Sequence, residues 1–304
     1  MKKRLEYLKV QTDMLRKRGI FLLLICLGLT GLWGCGSSDK EKWEDSIFSW
    51  NGDMLLKEQE DKVQYAMDKL GCRAIYQEIP HDAEDEVVLD FLARRSAKGQ
   101  QVYYLAGQAE WGLEKDAESM KAVVRTVVDW NKAAGENQGF EGIVWDVEPY
   151  LLDEWDEDKE SVMNTYVANC ITAFGEAAGE GLKVITCIPN FYDRSATQRG
   201  LEALIKSGCD AIAVMNYNKS DESGQIEEET RLVKKYGKGI LNIAELQKPG
   251  YHDLTEINTY YYDGIEAVKE SFAGLKERFD YSGMGFSWHY LDPVLEIMER
   301  EEQS

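Results

Sequence analysis

The chain is poor in the residue types on which several large functional classes depend. Only 3 histidines occur in 304 residues, and no Cys or His cluster has metal-ligand spacing, so neither a zinc hydrolase nor any other cofactor is expected. Proline is scarce at 5 residues, and low-complexity stretches are missing, which argues against a disordered chain. There is no Gly-x-x-x-x-Gly-Lys loop to cradle phosphates and no Gly-x-Ser-x-Gly elbow to present a serine nucleophile. Positive charge is in deficit: 35 Lys and Arg against 55 Asp and Glu leave a net charge of -20. Such a surface repels nucleic acid and suits a soluble monomer. Cysteines number 6, and Cys72, Cys170, Cys187 and Cys209 show no staple pattern, so they read as buried free thiols.

What is present begins with an unusual amino terminus. Seven basic residues (Lys2, Lys3, Arg4, Lys9, Arg16, Lys17 and Arg18) precede an uncharged apolar run from Gly19 to Trp33, and Cys35 follows at once. That run is short and glycine-rich for a membrane span, and its order of basic, apolar and small residues is that of an export signal. Leu32-Trp33-Gly34-Cys35 resembles the lipobox of bacterial lipoproteins, whose cysteine becomes the lipidated first residue. The resemblance implies a signal peptide over 1–34, a lipid on Cys35, a polar tether over 35–45, and a body held at the outer face of the cell membrane by lipid alone. Losing residues 1–34 removes seven positive and two negative charges, taking the net charge from -20 to -25.

From residue 46 to about 300 the periodicity alternates. Strand-like segments fall at 47–51, 73–79, 101–105, 142–147, 182–188, 211–217, 239–244 and 283–288. Helix-like stretches lie between them, at roughly 55–70, 84–98, 116–134, 158–179, 199–207, 225–236 and 263–279, with a short last one after Pro293. In 116–134, Met120, Val123, Val124, Val127, Val128 and Trp130 form an apolar stripe of helical period. Eight such units over about 250 residues have the size of a single (β/α)8 barrel. An open doubly wound sheet is the competitor, but no Gly-x-Gly-x-x-Gly follows the first strand.

In a barrel the carboxyl ends of the strands converge on one mouth, where chemistry belongs. Strand four is the sharpest segment. Alternation places Gly142, Val144, Asp146 and Glu148 on one face, so Asp146 and Glu148 would stand on consecutive inward layers at the mouth. Two carboxylates that close compete for charge, and one kept protonated near neutral pH is what a general acid requires. A glycosidic oxygen leaves poorly unless it is protonated.

These residues resemble glycoside hydrolase family 18, the chitinase and endo-β-N-acetylglucosaminidase family, whose strand-four motif is Asp-Gly-x-Asp-x-Asp-x-Glu. Here it reads Glu141-Gly142-Ile143-Val144-Trp145-Asp146-Val147-Glu148, with Val144 where the family carries an inward Asp. Met215-Asn216-Tyr217-Asn218 resembles strand six, Met-x-Tyr-Asp, with Asn218 for the Asp. Gly285-Phe286-Ser287-Trp288 resembles strand eight. The resemblance implies that Glu148 protonates the glycosidic oxygen and that Asp146 orients the substrate's acetamide, whose carbonyl is the internal nucleophile. It further implies that Tyr217 holds the acetamido oxygen and that Trp288 floors the sugar site. No cofactor is implied; the partner is an oligosaccharide or polysaccharide.

Two alternatives remain open on the sequence. Val147-Glu148-Pro149 also resembles the strand-four Asn-Glu-Pro of the clan A retaining glycosidases, which implies Glu245, at the end of strand seven, as a protein nucleophile. A non-catalytic carbohydrate-binding lipoprotein is the other. Under any of these, Trp50, Tyr104, Tyr150, Met215, Asn218, Asn190 and Gln108 are candidate sugar contacts, since aromatic rings cover the apolar face of a pyranose and amides reach its hydroxyls. His289 follows Trp288, points away from it, and is expected to reach the mouth only if the strand has ended.

Overall fold

The computed structural model describes residues 42–303; the signal segment 1–34, Cys35 and the tether up to residue 41 lie outside the described residues. Eight parallel strands close in sequence order into one barrel: β1 Ser46–Ser49, β2 Ala74–Glu78, β3 Gln101–Ala106, β4 Gly142–Trp145, β5 Lys183–Pro189, β6 Ala211–Met215, β7 Gly239–Glu245 and β8 Met284–His289. The helices are α1 Glu60–Leu70, α2 Asp85–Ala97, α3 Glu118–Ala133, a short α4 Asp153–Glu157, α5 Lys159–Gly179, α6 Gln198–Ser207, α7 Glu227–Tyr236, α8 Gly264–Phe279 and α9 Leu291–Glu302. This is the (β/α)8 barrel expected from the alternating periodicity.

The helices form where an apolar stripe meets a competent terminus. In α3 the buried Met120, Val124 and Val127 recur at helical spacing. The α1 helix stops at Gly71, whose left-handed φ of 73° lets its N–H reach back to the carbonyls of Met67 and Asp68. The α5 helix starts where Asp158 accepts a hydrogen bond from the Ser161 N–H at 3.0 Å. The stretch expected as one helix over 55–70 is two 3-10 turns followed by α1, because Leu56 is extended (φ -72°, ψ 144°) and breaks the ladder.

Strand alternation divides the apolar residues into two layers. Ile47, Ile75, Val102, Ile143, Trp145 and Val184 pack outward under the helices. Phe48, Tyr76, Tyr103, Leu105, Val144, Ile185 and Leu241 point inward and fill the barrel. Phe48, Tyr76 and Tyr103 meet edge to face at centroid separations of 5.0 and 5.4 Å. Burying each such side chain contributes roughly 2 kcal/mol, so the interior is a packed core rather than a pore.

Closure is fastened lightly. Strands β1 and β8 pair only at Ser46↔Ser287 and Ile47↔Trp288. Across this seam the Ser46 and Ser287 hydroxyls bond at 2.6 Å, and Asn51 Nδ2 donates to Asp292 Oδ1 at 3.0 Å. Cys72, Cys170, Cys187 and Cys209 are all free and buried, as the sequence indicated. No helix among the described residues is long and apolar enough to cross a membrane.

Candidate active site

At the carboxyl ends of the strands a cavity of about 630 Å³ opens, a size suited to a small ligand. Its floor and walls come from inward positions: Phe48 from β1, Asp146 and Glu148 beyond β4, Cys187 and Pro189 from β5, Met215 and Tyr217 at β6, Ile243 and Glu245 from β7, and His289 from β8. The loops after β4, β5 and β7 add Tyr150 and Leu151, Asn190 and Phe191, and Gln247 with His252, Asp253 and Leu254. A second hollow of about 290 Å³, walled by Trp155, Lys159 and Arg194 among others, shares Tyr150 and Phe191 with the first.

Asp146 sits where β4 passes β3. Its N–H donates to the Ala106 carbonyl at 3.0 Å, and Gly107 lies so near that a Cβ there would stand 1.8 Å from the Asp146 carbonyl oxygen. Only glycine fits this approach. Asp146 is half-buried, and its covered Oδ1 has no hydrogen-bond partner among the described residues. Burial pushes the carboxyl up, to about 7, with the Glu148 charge adding to the effect and His289 and the Cys187 thiol opposing it. Burial also raises Glu148, against the Tyr150 hydroxyl, which donates to Glu148 Oε1, and against His289. The two carboxyls therefore hold a proton close to neutral pH, and they hold it as a pair. Val144 packs in the apolar interior below them, so no further acid stands in the layer beneath.

Glu245 is differently placed. It is buried at 2% exposure, and both of its oxygens are engaged. Oε1 accepts from the Leu246 and Gln247 N–H groups at 2.9 and 2.7 Å, and Oε2 lies 2.8 Å from His289 Nδ1. The far nitrogen of that ring, Nε2, accepts from Trp50 Nε1 at 3.1 Å.

The other sequence candidates divide. Tyr150, Met215, Tyr217 and Asn190 line the cavity with Asp146, Glu148 and Glu245, and Asn190 is also bonded to Gln225. Burial beside Glu245 and Asp146 keeps the Tyr217 hydroxyl protonated well above its ordinary range. Trp50 stands behind His289 as its hydrogen-bond donor, not among the lining residues.

Four placements correct the expectation. Trp288 points out of the barrel, buried against Phe272 of α8 at 5.3 Å, and cannot floor the mouth. Tyr104 likewise packs outward between Trp130 and Phe140 at 5.8 Å from each. Gln108 is exposed and outside the cavity lining. Asn218 caps its own turn, accepting from the Ser220 N–H and hydroxyl at 3.1 and 2.6 Å.

Strand β8 extends through His289, which pairs with Glu245, so the inward set is Gly285, Ser287 and His289. A slip of one residue in a strand exchanges every side chain between faces. The signal was in the sequence: Met284, Phe286 and Trp288 are the bulky apolar positions that suit the helix layer, while the intervening residues are small or polar. Cys187 was read only as core, yet its thiol borders both the cavity and Asp146.

No known protein-family pattern matches the chain, and no curated protein matches it in sequence. Solved structures do match in fold. A chitinase from Chromobacterium violaceum ATCC 12472 superposes with a TM-score of 0.51 at 12% identity, covering 86% of this chain and 99% of that one. The spore cortex-lytic enzyme SleL of Bacillus megaterium QM B1551 gives 0.54 at 11% identity, over 86% of this chain and 75% of the other. A D-psicose 3-epimerase from Clostridium cellulolyticum H10 gives 0.52 at 12%, over 84% and 90%. What these likenesses establish is the barrel: the chain has a (β/α)8-like fold that resembles several glycosidase barrels at low identity.

Proposed function

We propose that the protein hydrolyses glycosidic bonds in an N-acetylhexosamine-containing glycan outside the cytoplasm, anchored through lipid on Cys35. The observation that carries this reading is the Asp146–Glu148 pair. Two carboxyls occupy consecutive inward positions, share a raised affinity for protons, and face an aromatic-walled cavity.

In this reading the Glu148 proton passes to the glycosidic oxygen as the C1–O bond breaks. The substrate's own acetamide carbonyl closes on C1, giving a five-membered cyclic cation. Asp146, half-buried beneath, accepts the acetamide N–H and faces the developing positive charge. The glycosidic oxygen leaves as a hydroxyl; water then bonds to C1 as the C1–O bond to the acetamide breaks, and the Glu148 carboxylate takes the water's proton, restoring both the acid and the open acetamide. The Tyr150 hydroxyl on Glu148 Oε1 leaves Oε2 as the oxygen that carries the transferable proton. Tyr217, at the cavity wall, is placed to donate to the acetamido oxygen.

The engagement of both Glu245 oxygens argues against a protein nucleophile on β7. An attacking carboxylate needs an oxygen free to approach C1, about 5 Å from the acid; here three of about four lone pairs are taken, and Oε2 is held by His289. A chain of N-acetylglucosamine units and the same chain with its acetyl groups removed decide the matter. Release of reducing ends from the first and none from the second is expected; equal rates on both would overturn the internal nucleophile. Retained binding with no cleavage of any glycan, unchanged in E148Q, would make the protein a carbohydrate binder.

A further inference from the structure

His289, like the Glu245 it touches, lines the cavity with both of its side-chain polar atoms committed within the protein. An indole Nε1 can only donate, so the 3.1 Å bond from Trp50 requires a lone pair on His289 Nε2. The ring proton therefore sits on Nδ1 and is donated to Glu245 Oε2 at 2.8 Å. In this state His289 offers a substrate neither a proton nor a free lone pair, and it cannot act directly as acid or base.

The groups around the ring pull the other way. From β7 it faces Glu245, and from beyond β4 it faces Asp146 and Glu148. Tyr217, after β6, lies tilted over it at 6.1 Å, Phe48 of β1 meets it edge-on at 5.4 Å, and Tyr290 follows at 5.1 Å. Among these neighbours there are three carboxyls and no cation. Burial disfavours a second proton on the ring, the carboxylates favour it, and the net direction is upward from the ordinary histidine value. A second proton would occupy Nε2 and set two donors against each other, so the Trp50 bond would be lost.

We infer that Glu245, His289 and Trp50 form a positioning chain for the Asp146–Glu148 pair, and that it is intact only while His289 carries a single proton. Below that point His289 becomes a cation, releases the Trp50 indole, and draws the proton affinity of the acid pair down. Two protonation limits then bound the active form: the pair must keep its proton, and His289 must not take a second one. The chain crosses the β7–β8 and β8–β1 junctions, so its release loosens the mouth where the barrel closes. The limit on turnover rests on the hydrolytic reading above; the state of the chain itself does not.

The experiment is indole fluorescence of the full protein titrated over pH, wild type minus W50F, repeated with E245Q, E245D and H289Q. An imidazolium next to an indole quenches it, so the difference signal is expected to fall in a single step as His289 gains its second proton. E245Q removes the carboxylate bonded to the ring and moves the midpoint lower by about one pH unit or more. E245D keeps the charge and holds the midpoint nearer that of the wild type, and H289Q abolishes the step. A step that survives in H289Q, no step in the wild type, or an E245Q midpoint equal to the wild type would each overturn the inference. None of these readings requires turnover, so a failure here is separate from a failure of the hydrolytic reading. Where turnover is measured, E245Q is expected to carry its acid limb to lower pH; a loss of about a thousandfold at every pH would make Glu245 a nucleophile instead.

Discussion

The α-carbon of Gly107 lies against the backbone carbonyl of Asp146, so that a methyl group on the glycine would stand 1.8 Å from that oxygen. The contact fixes the depth at which β4 delivers its carboxylates. G107A has to push the two strands apart, at a cost of about 3 kcal/mol or more, and to shift Asp146 with them. Urea unfolding is expected to show that loss together with a fall in turnover. Gly175 is the control: it is an exposed helical glycine with nothing within 4 Å of the new atom, so G175A should stabilise by roughly 0.5–1 kcal/mol. Equal effects from both variants would remove the special role of Gly107.

Glu148 is expected to behave as an acid whose loss leaves binding intact. E148Q keeps the shape and the Tyr150 contact but has no proton to give, so kcat should fall by about a hundredfold to ten-thousandfold while oligosaccharide affinity, read by calorimetry, stays within a few fold. Loss of affinity in step with kcat would mean that Glu148 only holds substrate.

The Tyr150 hydroxyl favours the ionised form of Glu148. Removing it in Y150F therefore raises the affinity of Glu148 for its proton, and the alkaline limb of the kcat profile should move to higher pH. The lost charge-assisted bond is worth about 1.5–3 kcal/mol, so a tenfold or greater fall in turnover is expected as well. An alkaline limb that stays in place would separate Tyr150 from the acid.

Asp146 links stability to pH. In the unfolded chain it ionises near pH 4, and in the folded protein only near 7. Between those values the folded state holds a proton that the unfolded state has released, so this contribution to stability is full at low pH, declines as pH rises through the window, and levels off above it. D146N abolishes the titration. Its unfolding free energy is expected to gain on that of the wild type between pH 4 and 7, by an amount on the order of a few kcal/mol, even as turnover disappears. A gap that stays constant over that range would show that Asp146 titrates normally.

Trp288 belongs to the shell between barrel and helices. W288A leaves a hole against Phe272 and should cost about 3–5 kcal/mol, with the glycan affinity of the folded protein unaltered. A specific loss of affinity without loss of stability would restore it to the mouth.

The barrel was legible in the sequence because each strand carries its alternation and each helix its apolar stripe within a dozen residues. Asp146 and Glu148 were legible for the same reason: an apolar strand runs straight into two acids two residues apart. What was not legible depends on which face a strand presents. Trp288 and His289 exchange roles with a single step of register, and a motif resemblance that ends on Trp288 has no information about the step. The pattern Met284, Phe286, Trp288 does contain it, but only when bulk is weighed against position. Tyr104 was misplaced likewise, on the outward set of β3. His252, Asp253 and Leu254 were missed for a different reason: they reach the cavity from the long segment between β7 and α8, where no periodicity constrains the chain. Left-handed backbone at His252 and Asp253 (φ 48° and 58°) shapes that approach; histidine and aspartate are enriched in that conformation, but it is uncommon even for them.

The narrow pairing of first strand to last has a consequence for the order of events in biosynthesis. Chains are made from the amino terminus, and the strand holding Ser287 and His289 is made after the other seven of the barrel. Until it arrives, β1 and β7 have no neighbour on their open sides, and the pocket lacks one of its walls. The candidate site is therefore complete only once the eighth strand has joined the first.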